Sequence, residues 1–146
     1  MQELAPEVRA AVERGYLDAA FVTDVGIKLL DCGPGWCEAG LTLLPRHMQH
    51  SGVVHGGVQS TLADHTAGSA AFTMIPAGHY ILTAEFKLSL LRPAKGSALW
   101  CRGTVLKPGK TIFMVEAEVY AEENGERRLT SKLSATMIVM QHVSKS

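Results

Sequence analysis

The segment from Gln49 to Asp64, QHSGVVHGGVQSTLAD, gathers the residue types that could handle a polar reacting group. Gly56 and Gly57 open a stretch rich in small residues, where a helix is expected. The first N–H groups of a helix have no intrahelical acceptor and point outward with the positive end of its dipole, and glycine lets a ligand reach them. That combination suits a carbonyl oxygen acquiring negative charge, so the Gly57 N–H is the expected donor, with Gly56 beside it as a ligand contact. Asp64 follows seven residues later, on the same helical face but roughly 10 Å further along the axis. A carboxylate in so apolar a helix is costly unless it is paired or working. Its chemistry would be that of a nucleophile or of a general base activating water, and both remain open. One chain cannot easily bring both groups to one carbonyl. Two such helices, antiparallel across a two-fold axis, would set Gly57 of one subunit against Asp64 of the other and give two equivalent sites.

The pattern HGG, then LAD, then a strand leading into RPAKG resembles the PaaI-like acyl-CoA thioesterases of the hot-dog superfamily, from about Gly33 to Val139. The resemblance implies a fold in which a long central helix is wrapped by a bent antiparallel sheet. It implies hydrolysis of an acyl-CoA by a homo-oligomer with composite sites, a dimer and more often a dimer of dimers, without cofactor or metal. It also assigns residues. Gln49 stands where many relatives carry an asparagine that positions water or the thioester, and it is one methylene longer. His55 would orient the loop and glycine backbone, and Thr83 occupies the place of a serine or threonine on the strand after the helix. CoA phosphates need cations for charge-assisted bonds, for which Arg92, Lys95 and Lys110 are the candidates.

Other chemistries are less well supplied. The spacings of His47, His50, His55, Cys32 and Cys37 match no metal-ligand pattern. Ser60 and Ser69 lack the G-x-S-x-G turn of a serine hydrolase. A hot-dog hydratase would need a His paired with an acid at another spacing, since Asp64 and His65 point about 100° apart. A non-catalytic acyl-CoA-binding module would keep the glycine cradle but not the acid. Phe72, Met74, Tyr80, Phe86 and Trp100 are candidates to line an acyl tunnel.

The elements that must hold these groups are legible along the chain. Residues 5–14 read as a short amphipathic helix beginning near Pro6. Residues 21–44 read as β-like, broken by a glycine- and proline-containing turn at Asp31–Gly35. Gly57 to Met74 reads as a helix apolar or small nearly all round, hence enclosed. Strands are expected at about 80–91, 97–106, 111–121 and 127–140, joined by short turns that suggest antiparallel neighbours in sequence order. The sum is an α+β domain, residues 1–146, with one enclosed helix against five or six strands.

Composition restricts the partners. The 146 residues carry 14 Lys and Arg against 14 Asp and Glu, so no net field draws the chain to nucleic acid or anionic membrane. No stretch resembles a membrane span, and MQELAPEVRAAVERG at the start has no apolar run like that of a secretory signal. With three cysteines, an odd number, a disulfide framework is not expected and a cytoplasmic location is.

Overall fold

A computed structural model describes residues 2–143. Helix α1, Pro6–Leu17, starts with proline in its first turn, and α2, Ala20–Val25, follows at once. Strands β1 (Lys28–Gly33) and β2 (Trp36–Thr42) form a hairpin, and a single 3₁₀ turn, Pro45–His47, leads to the long helix α3, Gly56–Phe72. Strands β3 (His79–Leu90), β4 (Ala98–Lys107), β5 (Ile112–Glu123) and β6 (Glu126–Gln141) complete the chain. The six strands form one antiparallel sheet in the order β1-β2-β4-β5-β6-β3.

Two expectations need correction. The segment read as β-like from Phe21 begins instead with α2, which ends at Gly26, whose φ of 98° is the left-handed cap that glycine adopts without strain. Strand β3 is also not a neighbour of β4; it pairs with β6 at the sheet edge, from His79↔Gln141 to Leu90↔Ser131. The turn-like stretch after β3 is a crossover along one end of the sheet. Leu91 N–H donates to Thr130 O of β6 at 2.8 Å, and Ser97 N–H to Glu122 O of β5 at 2.9 Å, before the chain enters β4.

Helix α3 lies on the inner face of the sheet with Leu62, Ala63, Thr66, Ala67, Ala70 and Ala71 buried. Small residues allow that closeness. A Cβ placed on Gly103 of β4 would stand 2.7 Å from Thr66 O and 2.9 Å from Ala67 Cα, both backbone atoms of α3. Gly103→Ala therefore forces the helix off the sheet. We expect a loss of about 1–3 kcal/mol in chemical denaturation, the range for overpacking a close contact, whereas alanine at the open position Gly52 would report only its own positive φ. The remaining core is continuous, with Phe113, Val115 and Val119 of β5 and Leu133 and Met137 of β6 fully buried beneath the helix.

Cys32, Cys37 and Cys101 are free and buried in this core. Burial pushes the Cys37 and Cys101 thiols up to about 12, which keeps both protonated and unreactive at neutral pH. No helix of the described residues is long and apolar enough to cross a membrane.

Candidate active site

The entry to α3 is built by His55, the N-cap residue, with φ −60° and ψ 134°. Its Nδ1 accepts the Gly57 N–H at 2.8 Å, which fixes the ring with its proton on Nε2, and its own N–H donates to His47 O at 2.9 Å. His47 in turn is locked, Nδ1 accepting from Leu44 N–H at 2.9 Å and Nε2 facing Val25 O at 2.6 Å. This cap corrects the expectation for Gly57. Its N–H is already engaged by His55, and Gly57 is exposed outside the cavity. The Val58 N–H donates to His55 O at 2.9 Å. The first-turn amide left without a partner among the described residues is that of Gly56, which borders a cavity of about 330 Å³ together with Gln49, Gln59, Leu90 and Arg92.

Asp64 lies elsewhere, in a second cavity of about 510 Å³ between α1, α3 and β3. Thr83 Oγ1 donates to Asp64 Oδ1 at 2.7 Å, leaving Oδ2 unbonded among the described residues. A bulge between Thr83 and Glu85 sets the local aim of β3, a common device for re-aiming a side chain. Phe72 and Tyr80 line this cavity, as do Ala11 and Gly15 of α1, whose contribution the sequence did not signal. Met74 and Phe86 are exposed and do not border it. Trp100 is on the opposite face of the sheet, under the Arg127 guanidinium 4.5 Å from its ring centre, and cannot line an inner tunnel.

His65 next to Asp64 has a different role. Its ring meets Tyr16 of α1 edge-on, centres 4.5 Å apart and planes at 86°, and its buried Nε2 has no hydrogen-bond partner within bonding geometry among the described residues. Burial lowers its pKa, and the neighbouring Asp64 charge and the nearby Gly15 backbone carbonyl, which lies outside good hydrogen-bond geometry, only partly oppose this. Because the folded pKa lies below the unfolded one, the unfolded state takes up the proton first as pH falls. Stability is then complete above the ordinary histidine value near 6.5 and declines below it. Denaturation midpoints measured between pH 7.5 and 5 should fall, and His65→Phe should flatten that slope.

The expected cations separate. Arg92 Nη1 donates to Leu129 O at 2.7 Å and borders the Gly56 cavity, and Lys95 is exposed in the same crossover. Lys110 lies at the opposite end of the sheet, in the β4–β5 turn where Val139 N–H meets Thr111 O. Ser60 and Ser69 donate to the helix carbonyls of Gly56 and His65 at 2.9 and 2.8 Å. Among the described residues no group of three His, Cys, Asp or Glu could hold a metal ion.

Strand β3 is the structural link between the cavities. Its outer edge has no strand partner among the described residues, and it exposes Leu82 (50%), Phe86 (45%) and Leu90 (57%). Tyr80 and Thr83, in its first half, belong to the Asp64 cavity, while Leu90, at its far end, belongs to the Gly56 cavity.

Comparison with known proteins agrees with this architecture. A thioesterase family protein from Silicibacter pomeroyi superposes with a TM-score of 0.90 at 29% identity, over 92% of this chain and 99% of that one. A thioesterase from Haemophilus influenzae gives 0.78 at 26% identity, over 87% of each chain. A Haemophilus influenzae protein assigned as an esterase is 29% identical over 103 residues, 70% of this chain and 75% of its own length. The Escherichia coli PaaI protein of the phenylacetic acid degradation operon shares the fold, at TM-score 0.83 and 16% identity over 97% of both chains. The family model of the thioesterase superfamily matches residues 51–127, more than half of the chain and the stretch holding α3 and strands β3, β4 and β5. With its enclosed helix and six-stranded antiparallel sheet, the chain belongs to the thioesterase superfamily and has the hot-dog fold.

Proposed function

We propose that this one-domain protein is a cytoplasmic acyl-CoA thioesterase, hydrolysing an acyl-CoA to a carboxylic acid and CoA at sites shared between two subunits. The observation that carries the reading is the separation of a free helix-terminal amide, Gly56 N–H, from a carboxylate held by Thr83, with the two cavities at opposite ends of one edge strand, β3. A long apolar strand edge readily pairs with another copy. If β3 pairs antiparallel with β3 of a second chain about its middle, the Thr83 half of each strand meets the Leu90 half of the other. Asp64 of the partner subunit then faces Gly56, and the end of the sheet carrying Lys110 comes beside the end carrying Arg92 and Lys95. These cations would hold the phosphates of CoA.

In this reaction Gly56 N–H, in place of Gly57, polarises the thioester carbonyl. Asp64 either attacks the carbonyl carbon or takes a proton from attacking water, and Thr83 holds it in one orientation. Gln49, whose Oε1 accepts from Ser51 N–H at 3.2 Å, keeps its amide nitrogen for water or thioester. His55 acts on the geometry alone, by holding the Gly57 amide. No cofactor is required.

The test is release of free thiol from a panel of acyl-CoAs, from acetyl to palmitoyl with benzoyl, phenylacetyl and hydroxybenzoyl included. Turnover on any of these that vanishes in Asp64→Asn supports the thioesterase. Silence across the panel, with acyl-CoA still protecting the protein against heat, would favour a binding module.

A further inference from the structure

Among the described residues, the first turn of α3 leaves one of its first three backbone donors without a partner. Gly57 N–H is engaged by His55 Nδ1 and Val58 N–H by His55 O, which leaves Gly56 N–H alone to meet a developing oxyanion. A second donor would come from a side chain, and besides Gln49, whose amide nitrogen serves water or the thioester, the cavity that Gly56 borders contains a buried one, Gln59. It stands three residues after Gly56, and helix side chains lean toward the N-terminus, so it springs from the face that carries the free amide and lines the same cavity. Gln59 is 2% exposed, and its Oε1 accepts a 2.8 Å hydrogen bond from Thr130 Oγ1 of β6, itself 1% exposed. That bond fixes the carboxamide. It leaves Nε2, with two N–H donors and no acceptor among the described residues, on the side of the cavity. Nε2 is not among the polar atoms sealed from solvent without a partner, which are His65 Nε2 and Ser131 Oγ among the described residues, so its donors keep access to the cavity.

We infer that Gln59 is a further catalytic residue, whose Nε2–H joins Gly56 N–H on the thioester carbonyl oxygen to complete a two-donor oxyanion hole. The inference rests on the proposed thioesterase reaction. When water, giving its proton to Asp64, adds to the carbonyl carbon, the C=O π pair moves onto oxygen and is held by both N–H groups without proton transfer to it. As the pair returns, the C–S bond breaks, and the thiolate takes the proton from Asp64. If Asp64 attacks directly, the same two donors serve the same oxygen. Thr130 makes the hole rigid before substrate arrives, the condition under which such donors are effective.

The decisive variants are Gln59→Met, which keeps length but removes the donors, and Gln59→Glu, which keeps an acceptor for Thr130 but sets an anion against the oxyanion. Gln59→Met should lose about 100- to 1,000-fold in kcat with KM changed by no more than about twofold, the scale for one missing oxyanion donor. Gln59→Glu should lose at least as much at neutral pH. Its activity relative to the unchanged protein should then rise as the pH is lowered and the new carboxyl becomes a donor, a pH profile that a purely structural role would not produce. If either variant folds and keeps kcat within about threefold, the inference is overturned and the thioesterase reading stands. A loss in Gln59→Glu that is independent of pH, or one confined to KM, also overturns it. Absence of turnover in the unchanged protein overturns both.

Discussion

Asp64→Asn will fold, keep its oligomeric state and lose at least ~100-fold in turnover of its best acyl-CoA, the scale for a positioned base and a lower bound for a nucleophile. The substitution is nearly isosteric. Thr83 Oγ1 can still donate to the remaining carboxamide oxygen, so the Thr83–Asp64 contact that ties α3 to β3 survives the change. What disappears is a charged oxygen able to accept a proton or attack a carbonyl. A steady-state thiol-release assay, with denaturation and size measured alongside, separates these outcomes. Near-normal turnover in a folded variant would remove Asp64 from the chemistry.

Gly56→Pro will abolish one hydrogen bond donor and little else. Gly56 is the first residue of α3, the position at which proline is most readily accepted, because the N–H it removes has no helical partner. The residue before it, His55, already has the extended backbone (ψ 134°) that a following proline demands. The nearest obstacle to a Cβ is the flexible tip of Leu90, 3.2 Å away. Thermal stability should therefore be close to unchanged while kcat falls about 100- to 1,000-fold, as for loss of an oxyanion donor. Gly57→Ala is the contrasting variant. Its Cβ would stand 2.9 Å from His55 Nδ1, so it disturbs the cap and acts on catalysis only through His55. A Gly56→Pro protein with ordinary kcat would move the oxyanion hole away from the start of α3.

Much of this arrangement is legible in the residues themselves. The small residues of α3 announce a helix in close contact on several sides, and Gly103 on β4 shows how close the contact is. Alternation in Cys37, Ala39 and Leu41 of β2 marks its buried face. Where the reading of the sequence departs from the fold, the missing information is tertiary. Shifting the free amide from Gly57 to Gly56 depends on which N–H the His55 ring engages, and helix starts are uncertain by a residue or two on sequence alone. The stretch Phe21–Val25 is rich in residues that favour strands, yet it closes as a helix because Gly26 supplies the left-handed cap. Pro93–Gly96 has the composition of a hairpin turn, but the segment crosses the sheet end because β3 is taken up by β6. Gln59 reads as one more polar residue in a helix. Only Thr130, 71 residues later, shows that its carboxamide is buried and fixed.

The shared site itself is tested most directly by hybrid dimers. Asp64→Asn and Gly56→Pro chains, each inactive alone, are unfolded, mixed in equal amounts and refolded together, and thiol release is compared with that of the unchanged protein treated in the same way. In a hybrid, one site pairs the intact Gly56 of one chain with the intact Asp64 of the other, and the second site lacks both. Random pairing then restores roughly one quarter of the normal activity. Recovery near that level is the predicted result; no recovery, with hybrids demonstrated by differential tagging, would place both groups of each site in a single chain and contradict the two-subunit mechanism.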